Sequence, residues 1–533
     1  MADIDNDKVQ DVEFGIVGSG SMGAGMTLLF SEHGSKIGCY DYDGDAVQAL
    51  MDEAKKDDSV DESLVHGFTS LEKLVNAFPK ADSKSDTSSG AENEERSKKP
   101  RVFVLSLPHG KPVDGILDEL LPLLEKGDMI IDGGNEWWEE TERRQRKTKE
   151  KGVEWIGMGV SGGYQAARHG PSMSPGCSPE AWDYLKPYLE KWAAKAPNGE
   201  PCVLHMGGGG AGHYVKMIHN GIEHAHLSIL CEIRSLLKHQ LGYTNDEISV
   251  LFESWWKEGP LRGNFLVGIG YKGLKFKDGD GLHEEEGIVE GMEDKVTQDV
   301  DKSEGTGTWS TKEIGERHVA APAIAASHQL RIISADKFER LEVAKNLNVP
   351  QPSEAEEKKL DKEKKDELLK TIHSAVYGAM LSAFVQGLNI ITRASKDEKW
   401  GISLSNCLKI WRAGCIIQSD AIAEFLLPLV EKFPPSEPLN LLRAAPEIAQ
   451  ELARTYEALK KVCLIALETD AVAPALSASL EYLKAVGGKN LPTDFEEMEL
   501  DYFGHHNYDL KSEPGKGHEK GNYHTEFSRM PGV

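Results

Sequence analysis

Phe14-Gly15-Ile16-Val17 is a short apolar run, and the turn Gly18-Ser19-Gly20-Ser21-Met22-Gly23 follows it. Residues 24–33 then place Met26, Leu29 and Phe30 on one face of a 3.6-residue repeat, which predicts a helix. Gly34 stops that helix, and residues 35–40 read as a second strand ending at Asp41. Val102-Phe103-Val104-Leu105 and Met129-Ile130-Ile131 predict further buried strands, with a helix over 114–124 between them. Such alternation predicts a parallel, doubly wound sheet. Residues 80–100 break the rhythm with Ser, Asp, Glu and Lys, and read as a solvated insertion. Beyond Gly207-Gly208-Gly209-Gly210 the pattern changes: 211–241 predicts a long helix, and the chain stays helical to about Val486. Within that stretch 354–369 reads as a charged helix or linker. From Asp501 the chain is rich in Gly, His and aromatics and has no helical period, so it must pack on something else. The expected organisation is α/β plus all-α: a Rossmann-like domain over 1–209, a large helical domain over 210–490 and an extended tail over 491–533.

Composition narrows the function classes. The 533 residues are 39% hydrophobic and 28% charged, which excludes a disordered or fibrous chain. The formal net charge of −26 argues against nucleic acid and anionic membrane as partners. An enzyme of this charge that takes an anionic substrate must concentrate its cations in one pocket. Seven cysteines without a CxxC pair suggest reduced thiols. The acidic, polar start MADIDNDKVQ is neither a secretory nor a transit signal. No apolar run is expected to reach the roughly 20 residues that span a bilayer, so a cytoplasmic protein is expected.

The candidate chemistry lies in two places. GSGSMG at 18–23 fits GxGxxG, follows a strand and opens a helix, as a dinucleotide pyrophosphate site requires. Asp41 closes the next strand, where an acid would bind ribose hydroxyls. Tyr42, Asp43, Gly44 and Asp45 offer no cation for a 2′-phosphate, which favours NAD over NADP. The second place is Lys216, His219, Asn220 and Glu223, at i, i+3, i+4 and i+7, which share one helical face between apolar neighbours. A polar stripe so flanked can face solvent or a buried cleft. In a cleft, a desolvated Lys suits a general base and a partly buried Glu a general acid. His219, Glu223 and His226 also share a face, but Lys216 would oppose a metal ion, so no metal is expected.

The chain resembles the decarboxylating 6-phosphogluconate dehydrogenases over nearly its whole length. The blocks that carry the resemblance are IIDGGN at 130–135, GVSGG at 159–163, ARHGPSMSPG at 167–176, GEP at 199–201, GAGHYVKMIHNGIE at 210–223, GTGTW at 305–309, WRAGCII at 411–417 and DYFGHHNYD at 501–509. The resemblance implies that Lys216 takes the 3-hydroxyl proton as hydride leaves C3, and that Glu223 protonates C1 after CO2 departs. It implies substrate contacts at Asn135, Ser161, Gly162, Gly163, His219 and Asn220, and cofactor contacts at Gly18, Gly20, Ser21, Met22, Gly23, Asp41, Tyr42, Leu107 and Asn135. It also implies a homodimer whose C-terminal tail reaches the partner's site, with His506 as the tail histidine.

Two departures stand out. NADP-using members carry Asn-Arg-Thr where this chain has Asp41-Tyr42-Asp43. In the clamp for the substrate phosphate, a tyrosine is replaced by His224, a lysine by Glu304 and the tail arginine by Leu500, while Thr306 and Arg331 are kept. Three readings stay open: a phosphogluconate dehydrogenase with a rearranged clamp, an NAD-dependent decarboxylating dehydrogenase of another aldonate, unphosphorylated or with a hydroxyl or amino end group facing Glu304, or a non-catalytic dimeric binding or regulatory protein.

Overall fold

The computed structural model describes residues 4–9, 11–79, 99–277, 287–300, 305–352, 362–512 and 521–527. The insertion expected over 80–100 falls almost entirely outside these residues, as do Glu304 and half of the charged 354–369 segment.

Seven strands form one sheet: β1 (Phe14–Val17), β2 (Ile37–Tyr40), β3 (Val65–Phe68), β4 (Val102–Leu105), β5 (Met129–Asp132), β6 (Glu154–Ser161) and β7 (Ser172–Gly176). Their order is β3-β2-β1-β4-β5-β6-β7. All pairs are parallel except β6–β7. The strands are short, β-branched or aromatic, and buried along their length in β1, β2, β4 and β5, as befits a sheet covered on both faces. One face packs Ile16, Ile37 and Met158 against Met26, Phe30 and Trp192. The other packs Val17, Phe103 and Ile130 against Leu74, Leu117 and Trp155. The helices between strands are α1 (Ser21–Glu32), α2 (Gly44–Lys56), α3 (Leu71–Asn76), α4 (Lys111–Leu120), α5 (Trp138–Lys149) and α6 (Gly163–His169), and α7 (Pro179–Trp192) follows β7. Strand order reverses between β1 and β4, which opens a crevice at the carboxyl ends of these strands.

The long helix α8 (Ala211–Ser235) starts against β6 and β7 and continues into a bundle with helices Thr306–Glu316, Pro322–Ala335 and Lys362–Asp397. Because α8 serves sheet and bundle alike, Met1–Leu480 is one compact unit. Glu481–Val533 is a second, beginning ten residues earlier than the sequence pattern suggested. It is not wholly aperiodic, since Thr493–Gly504 is a helix that runs past Asp501.

One expectation is corrected. Helix Glu363–Asp397 is long and apolar enough, by length and composition, to cross a bilayer, with a mean hydropathy of 1.4 over its best window. That window is entirely buried in protein, because the helix is surrounded by other helices and is apolar all round for that reason.

Candidate active site

Helix α8 reaches its position because its neighbours in the sheet are small. A Cβ on Gly159 of β6 would stand 2.3 Å from the Cβ of Lys216. Only a glycine there lets the first turns of α8 lie against the strand and tuck Lys216 beneath the crevice. The lysine is 8% exposed. Its Nζ donates to Asn220 Oδ1 at 2.7 Å. His219 Nδ1 lies 3.0 Å from the same oxygen. An amide oxygen only accepts, so Nδ1 carries the hydrogen and the ring is the Nδ1–H tautomer. Burial holds the His219 imidazole well below its ordinary pKa, and the Lys216 charge pushes the same way, so the ring is neutral. Glu223 Oε2 is 3.8 Å from His219 Nδ1. Asn220 Nδ2 donates to Thr306 Oγ1 at 3.2 Å, which ties this face of α8 to helix Thr306–Glu316. The polar stripe therefore faces a cleft rather than solvent.

That cleft is a cavity of about 640 Å³. Gly20, Ser21 and Met22 line one end. Ser106, Leu107, Pro108 and His109 after β4, with Gly133, Gly134 and Asn135 after β5, line the middle. Gly162 and Gly163 lie opposite, and Lys216, Asn220 and Glu223 form the floor. His224, Asp299, Thr306 and Arg331 close the far end.

The first end fits a dinucleotide. Gly18 has φ +103°, and a Cβ on it would come within 2.4 Å of Ser106 O. The turn is thus tight enough to aim the N-terminus of α1, whose cap carries no side-chain acceptor, at an anion. Asp41 is held beside it: its carboxylate accepts from Ser19 N–H at 2.7 Å, Ser19 Oγ at 2.9 Å and Asp43 N–H at 3.1 Å. Tyr42 is 88% exposed, open to a ligand on the outer face.

Not every expected residue lines the cavity. Ser161 and His219 are buried beside it and do not form its wall. His506 belongs to the second unit, where its ring lies 6.0 Å from Phe503. Among the wall residues missed in the sequence are Asp299, Gln298 and His109. Asp299 takes the Arg331 Nε–H at 2.7 Å, with side-chain exposures of 7% and 11%. Gln298 takes a second Arg331 proton at 3.1 Å. His109 makes an edge contact with Trp309 at 5.0 Å. Behind Asp299, His328 stacks on His224 at 6.3 Å, and the Nδ1 of each is buried without a hydrogen-bond partner. Asp299 sits in an acidic loop with no periodicity, so its spacing carried no signal.

Two family models match the chain in series: the NAD binding domain of 6-phosphogluconate dehydrogenase over residues 13–207, and the 6-phosphogluconate dehydrogenase C-terminal domain over 212–527. The chain belongs to the 6-phosphogluconate dehydrogenase family. It is 44% identical to the decarboxylating 6-phosphogluconate dehydrogenase of Emericella nidulans, over 95% of this chain and 99% of that one. It is 34% identical to a rice enzyme of the same description, over 97% and 98%. Among solved structures, the Plasmodium falciparum 6-phosphogluconate dehydrogenase matches with TM-score 0.81 and 32% identity, covering 97% of this chain and all of that one. That structure was determined in apo form, with its cofactor NADP+ and with its substrate 6-phosphogluconate. The chain is thus a decarboxylating oxidoreductase that uses a nicotinamide cofactor.

Proposed function

We propose that this protein converts a 3-hydroxy aldonate of the 6-phosphogluconate type to a ketose and CO2, with NAD preferred over NADP. The observation that carries the reading is the Lys216–Asn220–Glu223 array on the cavity floor. A bound nicotinamide dinucleotide supplies the hydride acceptor. Lys216 receives the proton of the 3-hydroxyl, and Asn220 holds the amine in place through its side-chain oxygen. Once the carbon at position 3 is a ketone, its carbonyl accepts the electron pair of the breaking C–C bond and CO2 leaves. Glu223, seven residues along the same face, delivers a proton to C1 of the resulting enediol.

The cofactor preference is supported by Asp41. Its fixed carboxylate can accept from both ribose hydroxyls. A 2′-phosphate would meet three carboxylates within 41–45 and no cation in that segment. A second reading, an unphosphorylated aldonate, is favoured by one observation: Arg331 is already engaged by Asp299 and Gln298. We also propose a homodimer whose tail completes the partner's site. Support comes from the separate compactness of Glu481–Val533 and from Phe495 and Phe503, which are 62% and 72% exposed on its helix.

The test is reduction of NAD and of NADP with 6-phosphogluconate, gluconate and other aldonates, with CO2 trapped and mass measured by light scattering. NAD should exceed NADP in kcat/KM by about tenfold or more, a difference of about 1.4 kcal/mol. Equal or better use of NADP overturns the cofactor assignment. No turnover of any aldonate by a protein that binds NAD overturns catalysis, and a monomeric mass overturns the dimer.

A further inference from the structure

Glu136 and Arg144 form a buried ion pair outside the lining of the cavity. Glu136 Oε2 lies 2.5 Å from Arg144 Nη1, with side-chain exposures of 2% and 0%. Replacing such a buried pair by apolar side chains of equal volume is often neutral or stabilising. Its burial therefore calls for a geometric reason, and the hydrogen bonds supply one. The Gly110 N–H donates to Glu136 Oε2 at 3.0 Å. Arg144 Nη2 donates to the Gly110 carbonyl at 3.1 Å. Both backbone groups of Gly110, whose φ is +77°, are thus held by the two members of one pair. The other Glu136 oxygen accepts the Trp137 N–H at 2.9 Å, and Arg144 Nε is anchored outward on Asp114 at 2.9 Å.

Gly110 ends the segment after β4 whose residues 106–109 line the cavity, and Glu136 directly follows Asn135, which ends the lining segment after β5. The two middle walls are therefore tied to each other by this pair. They line the same cavity as the dinucleotide turn at Gly20 and the Lys216–Glu223 floor, where the reacting end of the cofactor must meet the substrate. A misplacement of about 1 Å there can cost about 10²-fold in rate.

We propose that Glu136 and Arg144 are positioning residues for hydride transfer: they set residues 106–109 against the reacting end of the cofactor while taking no part in holding its adenosine half. The proposal rests on the nicotinamide-dependent reading of the site.

Glu136→Gln keeps an acceptor for Gly110 and removes the charge opposite Arg144. Arg144→Lys keeps the charge and cannot reach Glu136, Gly110 and Asp114 together. In both variants kcat should fall roughly 10- to 100-fold and NAD binding should weaken. KM for the sugar acid should change less than about threefold, and the Kd of ADP-ribose, which lacks nicotinamide, should not change. Unchanged kcat in both variants overturns the proposal. So does ADP-ribose binding that weakens in step with kcat, or failure of both variants to fold, since the pair would then serve stability alone. If the unaltered protein reduces neither NAD nor NADP, the nicotinamide reading fails instead. The comparison of NAD with ADP-ribose binding then still decides whether the pair positions the segment.

Discussion

Lys216, Asn220 and Glu223 stand on one face of α8, whereas the other end of the same cavity joins His224 of α8 to Asp299, Thr306 and Arg331 from three further segments. The difference is also electrostatic. At the floor, an uncharged amide oxygen stands between the lysine and a neutral imidazole. At the far end the one described arginine is already balanced by a buried carboxylate. On the proposed function, the floor moves protons on any substrate that places C3 above it, and the far end selects that substrate.

The comparison breaks first if the floor is dispensable. Lys216→Met keeps the length and apolar stem of the side chain and removes the only amine on that face. Turnover should fall by roughly 10³-fold, the scale of a lost general base, with NAD affinity nearly unchanged. Measured by single-turnover reduction of NAD, a loss smaller than about tenfold would remove Lys216 from the base role.

This contrast also explains what could be seen in the sequence. The sheet and its crevice followed from four-residue apolar runs such as Phe14–Val17, because a strand buried on both faces must be apolar throughout. The floor followed from helical spacing within 216–223, since one regular element fixes the relative placement of its own residues. The far end followed only in part: the family resemblance pointed to His224, Thr306 and Arg331, and nothing pointed to Asp299. Arg331 and Asp299 are 32 residues apart, and only tertiary packing brings them to 2.7 Å. Glu136 and Arg144 are eight residues apart across a loop–helix junction, and nothing in that spacing marks them as a pair. The bilayer-spanning length and hydropathy of the helix around 372–394 were missed for a different reason. Buried polar residues, Ser382, Gln386, Asn389 and Thr392, interrupt its apolar run, so no stretch of it is apolar throughout.

A sharper test acts on the far end alone. Asp299→Asn removes the carboxylate and leaves an amide that can still accept from Arg331. If Asp299 blunts the anion grip, kcat/KM for 6-phosphogluconate relative to gluconate should rise about tenfold, worth about 1.4 kcal/mol. A fall in that ratio would reverse the conclusion: Asp299 would then be ordering Arg331 for the phosphate rather than competing with it. Either result leaves the floor intact, so kcat at saturation with the preferred acid should change less than about threefold.

The smallest effect comes from His224 and His328. Burial holds both imidazoles below their ordinary pKa; at His224 the Arg331 charge adds to this, while Asp299 partly opposes it at His328. Around them stand Lys216, Arg331, Asp299 and Glu223 from the floor and the far end. With folded pKa values below about 6.5, the free protein binds fewer protons than the unfolded chain, so these rings cost stability as pH falls through that range. A phosphate dianion beside them reverses the sign. It stabilises the imidazolium forms, raises both pKa values in the complex and makes binding take up a proton. KM for 6-phosphogluconate should therefore fall about threefold between about pH 8 and 6.5, before the phosphate itself protonates. KM for gluconate should stay flat, because no dianion reaches the pair. His224→Gln should remove most of the slope. Equal slopes for the two acids would mean that the phosphate does not sit at these histidines, and the far end would then have to be assigned to another part of the substrate.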